Sequence, residues 1–297
     1  MPDSMMVKAS AKINLVLDVT GKLSNGYHTI ESIFQTVGIY DTVSVTLTDS
    51  GKIELSCEVP ENFLSSDPIP CDERNIAYKT AKMFLDENGI DKGCRIHIEK
   101  GIPSQAGMGG GSSDAGAVIY CLEKMTGKKL LNPERLGADV PFFLTGGTAY
   151  VTGIGEIIKP IADYSGKLLV VAKGRKGVST AEAYRSIDLL KNPVHPKTIK
   201  AVKALEDCPE KVYRYFGNIF EDAVRLEEVD VIKQIMLTEG AYATVMTGSG
   251  SAVFGLFGDY NYPIEFSAEF CANQLGYAGF YSKVCKTVSK SFIEVSS

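Results

Sequence analysis

The segment 107–113 concentrates residue types that bind an anion through the backbone. Four of its first five residues are glycines, which allow a ligand to approach the main chain closely. Ser112 and Ser113 follow and are predicted to begin a helix, whose free N–H groups and dipole favour a phosphate. A flexible loop with a serine N-cap is the alternative. The segment is not a Walker loop, since no Gly-Lys-Ser/Thr follows, and Ser112 replaces the last glycine of Gly-x-Gly-x-x-Gly.

Lys12 and Asn14 are the polar residues of a second candidate segment near the start of the chain. Apolar residues alternate with polar ones over 7–19, a period of two that predicts a strand with one apolar and one polar face. Lys12 is then either a solvated charge on the polar face or, together with the glycine segment, a group that steers a phosphate or a reacting hydroxyl.

Asp139 is an acid among apolar neighbours in the segment 137–143. A short acidic side chain in this setting either caps a helix or turn, or acts as a general base or a metal-facing carboxylate. Two further segments allow both a structural and a functional interpretation. Tyr27 and His28 follow a turn and either pack normally or form a stacking and hydrogen-bonding wall, and the glycine turn 247–251 is either a plain hairpin or a source of backbone donors.

The elements that must position these residues alternate between strands and helices. Further strands are predicted over 42–47, 52–57, 95–100, 148–152 and 168–172, and helices over 75–87, 180–190, 196–206 and 227–237. The pattern loosens over 153–165, where we place a domain boundary. Strands mixed with segregated helices predict an α+β fold in two lobes, with mixed sheets that carry helices on one face.

Composition excludes several classes of protein. The 297 residues are 44% apolar and 23% charged with a net charge of −5, which is typical of a globular protein without a bulk positive field for nucleic acid. Neither a membrane-spanning run nor a secretory signal is recognisable. The seven cysteines form no Cys-x-x-Cys pair and there are only three histidines, so redox, zinc and Ser-His-Asp sites lack support. We expect a cytoplasmic protein with reduced thiols, either a monomer or a homodimer, that binds no nucleic acid and no membrane.

Three motifs in this order, at 10–15, 107–114 and 247–251, resemble the GHMP kinase superfamily of small-molecule kinases. Four further segments, at 25–28, 34–36, 137–142 and 177–184, resemble the branch of it that phosphorylates the 2-hydroxyl of a cytidine-diphosphate-linked methylerythritol for isoprenoid synthesis. The resemblance spans nearly the whole chain. The alternatives are a related kinase that acts on homoserine or mevalonate, and a nucleotide-binding sensor without activity.

The resemblance implies two lobes, with the active site in the cleft between them. Residues 1–155 would form the ATP-binding lobe, 156–280 the lobe that binds the acceptor, and a last strand near 281–297 would return to the first lobe. In one departure, only the nine residues 128–136 separate Gly127 from Gly137, where the branch carries a longer arm with a helix.

The resemblance also assigns roles by position. Lys12 and Asp139 would form the catalytic pair: Asp139 would either accept the proton of the acceptor hydroxyl or orient that hydroxyl, and Lys12 would stabilise the alkoxide. Mg²⁺ would neutralise charge, with Ser113 or Asp139 as its ligand. ATP would be bound by Asn75, Lys100, Pro103, Ser104, Gln105, Ala106, Gly107, Met108, Gly109, Gly110, Gly111, Ser112 and Ser113. The cytidine acceptor would be bound by Asn14, Tyr27, His28, Thr180, Tyr184, Gly248, Ser249 and Gly250.

Overall fold

The computed structural model describes residues 2–60, 69–258 and 264–295. Its first half contains β1 (Ser4–Lys22), β2 (His28–Thr48), β3 (Ile53–Glu58), α1 (Ile76–Glu87), β4 (Gly93–Glu99), α2 (Gly110–Thr126), α3 (Val140–Thr145), β5 (Thr148–Thr152) and β6 (Ile157–Pro160). Its second half contains β7 (Leu168–Lys173), α4 (Thr180–Ile187), α5 (Thr198–Asp207), β8 (Gly217–Asn218), α6 (Phe220–Ala223), α7 (Glu227–Thr238), β9 (Ala243–Met246), β10 (Val253–Phe257), α8 (Ile264–Tyr277), β11 (Tyr281–Lys286) and β12 (Phe292–Glu294).

The strands form two sheets. The larger sheet has the order β12-β1-β2-β4-β3. In addition, β5 pairs with β2, β6 pairs with β5, and β8 pairs with β1. It is mixed, because β3 pairs with β4 in parallel while β1 and β2 are antiparallel. The smaller sheet has the order β11-β7-β10-β9, and its neighbouring strands are antiparallel. Two sheets with packed helices confirm the predicted α+β class.

Strand β1 contributes to all three hydrophobic clusters that the described residues form. Val7 packs with α1 and α2 against the larger sheet. Ile13 belongs to a cluster with the smaller sheet and α5, and Leu17 belongs to one with α7 and α8. Two of the three clusters therefore join the segments 1–155 and 156–280. Packing on both sides holds the backbone around Lys12 rigidly.

The expected polar face of the first strand is not exposed to solvent. Every residue from 9 to 19 is buried, because the glycine segment lies against the strand and Lys12 N donates to Met108 O at 3.0 Å. The alternation was read correctly as a strand, but its polar residues face the interior of the protein. Lys12 is thus not a solvated edge charge.

The two ends of the segment 281–297 lie in different sheets. Tyr281–Lys286 pairs with β7 in the smaller sheet, whereas Phe292–Glu294 pairs with β1 in the larger one. Residues 296 and 297 lie outside the described residues. The return to the larger sheet is therefore made by β12.

A single 3-10 turn, Pro133–Arg135, lies within the short connection between α2 and α3. Asp139 follows it directly before α3. Within the three described ranges, no helix is both long and apolar enough to cross a membrane.

Candidate active site

A cavity of ≈ 580 Å³ opens between the glycine segment, β1, the start of α3 and the turn after β9. Eighteen residues predicted to bind or react line it: Lys12, Asn14, Asn75, Lys100, Pro103, Ser104, Gln105, Ala106, Gly107, Met108, Gly109, Gly110, Gly111, Asp139, Thr180, Tyr184, Gly248 and Ser249. The other predicted residues, Tyr27, His28, Ser112, Ser113 and Gly250, are not part of its lining.

The glycine segment needs its glycines for two different reasons. Gly107 and Gly109 have φ values of 70° and 71°, which disfavour any side chain. A Cβ on Gly107 would lie 2.2 Å from the carbonyl oxygen of Thr247, and one on Gly109 would lie 2.8 Å from Phe143 Cζ. A Cβ on Gly110, in contrast, would have a side-chain atom as its nearest neighbour, Ile102 Cγ2 at 3.3 Å, and a small shift of that side chain would accommodate it.

Helix α2 begins at Gly110, two residues earlier than predicted, with left-handed Gly109 as its N-cap. This start places Ser113 one turn into the helix, where its hydroxyl is fully buried and donates to the carbonyl oxygen of Ser10 at 2.7 Å. The Ser113 hydroxyl therefore points to β1 rather than into the cavity, which does not fit its predicted role as a metal ligand. The start of α2 presents the backbone of Gly109 to Gly111 to the cavity, together with Asp114 from its second turn.

Lys12 and Asp139 meet in the cavity. Lys12 Nζ lies 3.5 Å from Asp139 Oδ2, donates to Asn14 Oδ1 at 2.9 Å and stands 4.4 Å from the ring centroid of Phe34. The ammonium is nearly inaccessible to solvent, whereas the Asp139 side chain is 30% exposed. A buried cation that faces a partly open carboxylate is suited to stabilising an anion at the cavity surface.

Asp139 occupies the N-cap position of α3, but its side chain forms no capping hydrogen bond. Its carboxylate instead faces Lys12 and lines the cavity. The backbone of Asp139 thus agrees with the interpretation as a helix cap. The position of its side chain agrees instead with the interpretation as a reactive carboxylate.

Asn14 connects the two halves of the site. Its Oδ1 accepts hydrogen bonds from Lys12 Nζ, from Thr247 Oγ1 at 3.1 Å and from Gly248 N at 2.9 Å. Its Nδ2 donates to Ser32 Oγ at 3.0 Å. With Oδ1 and one Nδ2–H engaged, Asn14 orients the lysine and the glycine turn while its side chain also lines the cavity.

Lys100 lies under the glycine segment between two carboxylates. Its Nζ donates to Asp114 Oδ2 at 2.8 Å and to Asp41 Oδ2. Burial favours the neutral amine, but the charges of Asp114 and Asp41 outweigh it and raise the Lys100 pKa above its usual value. One of three ammonium N–H groups is left for a ligand.

The two carboxylates beside Lys100 differ in their other contacts. Asp41 Oδ1 also accepts from Gly101 N and Ile102 N at 2.7 and 2.8 Å, whereas Asp114 Oδ1 is buried without a partner among the described residues. Burial raises the pKa of Asp114 well above its usual range; Lys100 opposes this shift and Asp41 adds to it.

Asn75 is the N-cap of α1 and lines the cavity beside the glycine segment. Its Oδ1 accepts from Ala77 N at 2.9 Å, and its Nδ2 donates to the carbonyl oxygen of Pro70 at 2.8 Å. The side chain therefore caps the helix and ties down the segment before it, in addition to lining the cavity.

The opposite end of the cavity is aromatic. Tyr184 stacks on His28 with ring centroids 4.8 Å apart and meets Phe220 edge-on at 5.0 Å. Burial, and secondarily the charge of Asp139, raises the pKa of Tyr184 to about 12. Tyr27 is 60% exposed in the turn before His28. Thr180 and Ser249 bridge the rim through their hydroxyls at 3.2 Å.

Sequence reasoning missed eleven lining residues: Leu17, Ile30, Phe34, Ile69, Pro70, Arg74, Ile76, Ile102, Asp114, Ile154 and Phe220. Asp114 lies in the glycine-serine motif and so carried a signal. Phe34 lies in the segment 34–36 that carries the resemblance, but the other apolar residues carried no signal, because periodicity does not distinguish a cavity wall from a core.

Comparison with known proteins agrees with this geometry. The family models described as GHMP kinases N terminal domain and GHMP kinases C terminal match residues 75–147 and 210–274. The chain is similar to 4-diphosphocytidyl-2-C-methyl-D-erythritol kinases of Clostridium botulinum. One, from strain Loch Maree, is 39% identical over 264 residues, covering 86% of this chain and 91% of the relative. Another, from strain Eklund 17B, is 40% identical with the same coverage.

Solved structures give the same result. A crystal structure of 4-(cytidine 5'-diphospho)-2C-methyl-D-erythritol kinase superposes with a TM-score of 0.74 at 28% identity, over 95% of this chain and 99% of that one. Homoserine kinase from Cytophaga hutchinsonii superposes with a TM-score of 0.73 at 18% identity, over 99% and 98% of the two chains, and shows the fold alone. The identity and coverage of the Clostridium relatives decide the branch: the chain belongs to the 4-diphosphocytidyl-2-C-methyl-D-erythritol kinase family of the GHMP kinases.

Proposed function

We propose that this protein transfers the γ-phosphoryl group of ATP to the 2-hydroxyl of 4-diphosphocytidyl-2-C-methyl-D-erythritol, a step of the non-mevalonate route to isoprenoid precursors. One observation carries the proposal: the Lys12–Asp139 pair lies in a single cavity between a glycine segment and an aromatic wall. The names of the relatives indicate the acceptor.

The transfer needs positioning and charge stabilisation more than covalent chemistry. The acceptor hydroxyl oxygen forms a bond to the γ-phosphorus as the bond between that phosphorus and the β–γ bridging oxygen breaks. The hydroxyl proton passes to Asp139, which is the partly exposed carboxylate at the cavity surface. ADP leaves with the bridging oxygen and its electron pair.

Lys12 stabilises the oxygen that loses this proton. Its ammonium is fixed by Asn14 at 2.9 Å and faces Asp139 at 3.5 Å, so it does not have to reorganise during the reaction. The phenyl ring of Phe34 shields its other side from water. These contacts support a role in the chemical step rather than in holding the nucleotide.

The backbone of Gly107 to Gly111 is suited to the phosphates of ATP, with the start of α2 behind it. Hard oxygen donors suit Mg²⁺, which proteins usually bind through one or two carboxylates together with substrate phosphates. Asp139 fits this role, because its carboxylate faces the cavity and is not used for capping. Neutralisation of charge on the phosphate oxygens is the chemistry that a bound magnesium ion supplies.

The acceptor is proposed to lie on the aromatic side, where a pyrimidine requires a π-face and hydrogen bonds. Tyr184 supplies the face inside the cavity, and the exposed ring of Tyr27 is available to cover the base. The backbone N–H of Ser249 is proposed to face the diphosphate, because that of Gly248 is already donated to Asn14 Oδ1. Homoserine and mevalonate have no base to stack on these rings.

A coupled assay of ADP release tests the proposal. The purified protein is given ATP, Mg²⁺ and, in separate reactions, the cytidine-diphosphate acceptor, homoserine or mevalonate. We expect turnover with the cytidine acceptor alone and a product phosphorylated at its 2-hydroxyl, identified by ³¹P and ¹³C NMR. Turnover with homoserine or mevalonate instead, or binding of ATP without any turnover, would overturn the proposal.

A further inference from the structure

Asp188 holds the turn between β1 and β2 against the end of α4. Its Oδ1 lies 2.8 Å from His28 Nε2 and its Oδ2 lies 2.5 Å from Lys22 Nζ. Asp188 is the C-cap residue of α4, one turn beyond Tyr184. The His28 side chain is only 8% exposed and stacks on Tyr184, which lines the cavity. The carboxylate therefore fixes an imidazole beside the aromatic wall.

This contact also decides where His28 carries its proton. An ionised carboxylate only accepts hydrogen bonds, so Nε2 must be the N–H donor. The hydrogen bond from His28, followed by that from Lys22, lowers the pKa of Asp188 and keeps it ionised. In the neutral ring Nδ1 is then an acceptor. Nδ1 makes no hydrogen bond to any residue that the structure describes.

We propose that Asp188 is a positioning residue that sets the choice of base in the acceptor, by holding His28 with Nδ1 as a hydrogen-bond acceptor at the edge of the Tyr184 ring. The inference rests on the proposed function. A base coplanar with His28 would lie over the rest of the Tyr184 face, since the two rings are within 20° of parallel. Cytosine presents an amino donor at its 4-position, which matches Nδ1, whereas uracil presents an acceptor, which does not.

Asp188→Asn makes the proposal testable because Lys22 selects the orientation of the new amide. Lys22 Nζ requires an acceptor, so the asparagine oxygen is expected to face Lys22 and its NH₂ group to face His28. Nε2 then becomes the acceptor and Nδ1 carries the proton. The substitution preserves shape and reverses the hydrogen-bonding character of the imidazole edge.

Two measurements test this. Long-range ¹H–¹⁵N spectra of the imidazole nitrogens, simple to assign with three histidines in the chain, should show the Nε2–H form of His28 in the wild type and the Nδ1–H form in Asp188→Asn. The ratio of kcat/KM for the cytidine-diphosphate acceptor to that for its uridine analogue should fall at least about tenfold, mainly through KM of the cytidine compound. Lys22→Met is the matched control, because it removes the second partner of Asp188 and should preserve the ratio and the Nε2–H form.

The outcomes separate this inference from the proposed function. If the wild type phosphorylates neither acceptor, the proposed function fails, and the spectra still decide whether Asp188 controls the tautomer. If the wild type prefers cytidine but the ratio is unchanged in a folded Asp188→Asn protein, the inference is wrong. It is also wrong if the tautomer of His28 is the same in both proteins.

Discussion

Asn14 Oδ1 accepts hydrogen bonds from both Lys12 Nζ and Gly248 N, each at 2.9 Å. Lys12 lies in β1 of the larger sheet, whereas Gly248 lies in the turn between β9 and β10 of the smaller sheet. One buried amide thus holds the lysine beside Asp139 and holds the late glycine turn beside the glycine segment 107–113. The arrangement explains how separated motifs form one site.

Lys12→Met should reduce kcat by about 10²- to 10³-fold, the loss typical of removing one preorganised donor to a developing oxyanion. The KM for ATP should change little, because Lys12 faces Asp139 and Asn14. Steady-state kinetics with both substrates varied measure this. A large rise in the KM for ATP with kcat preserved would make Lys12 a phosphate clamp instead.

Gly110→Val should weaken ATP binding at least about tenfold, the loss expected for one charge-assisted backbone contact. The protein should stay folded, because the nearest neighbours of the added Cβ are side-chain atoms that can shift, Ile102 Cγ2 at 3.3 Å and Lys100 Nζ at 3.6 Å. Gly109→Ala is the contrasting variant and should lower the melting temperature, since its φ is 71° and its Cβ would meet Phe143 at 2.8 Å. Calorimetric titration with ATP gives the affinity. An unchanged affinity of Gly110→Val for ATP would show that the glycine segment is a structural loop that does not bind the nucleotide.

Much of this site could be predicted from short motifs, because polar and glycine residues in a fixed local order report on local chemistry. The start of α2 could not, because it depends on the left-handed conformation of Gly109, and this moved Ser113 out of the cavity. Phe34 and Phe220 line the cavity, yet their spacing is that of core residues.

Contacts between residues far apart in the sequence also could not be predicted. The alternation over 7–19 predicted β1, but nothing local shows that the glycine segment covers its polar face. The contact between His28 and Asp188 joins a turn to a distant helix end, so no motif contains it. The α+β class was predictable, because it depends only on the order of the elements.

Asp41→Ala should destabilise the protein by about 3–5 kcal/mol, because it removes one of the two carboxylates that pair with the buried Lys100 ammonium. Lys100 Nζ, Gly101 N and Ile102 N all donate to Asp41. Asp114→Asn should change stability much less at neutral pH, since Asp114 accepts from Lys100 through one oxygen only. Thermal unfolding of both variants measures the contrast. Equal destabilisation would show that Asp41 and Asp114 stabilise the Lys100 ammonium equally.

The raised pKa of Asp114 predicts that the stability of the protein depends on pH. Burial raises its pKa above 3.8 in the folded protein, so its contribution to stability is present at low pH and is lost as pH rises through the raised value. Asp114→Asn lacks this loss. Its melting temperature relative to the wild type should therefore increase between about pH 4 and pH 8. A difference that stays constant or falls over this range contradicts the assignment.

Tyr184→Ala should reduce kcat/KM for the cytidine acceptor by roughly ten- to a hundred-fold, since stacking on a base is worth about 1–3 kcal/mol. It should also lower the melting temperature, because His28 and Phe220 lose the ring that they contact. Tyr184→Phe keeps the ring and should behave like the wild type. A Tyr184→Ala protein that is less stable but whose folded fraction binds the acceptor normally would limit Tyr184 to packing.

The most direct test of the account is ADP release by Asp139→Asn at saturating ATP and cytidine-diphosphate acceptor. Asparagine keeps the shape of the side chain but cannot accept the hydroxyl proton, so turnover should fall by about 10²- to 10⁴-fold. The affinity for ATP in the absence of Mg²⁺, measured by calorimetry on the same preparation, should be little changed. Turnover near that of the wild type would contradict the role of Asp139 and with it the proposed mechanism.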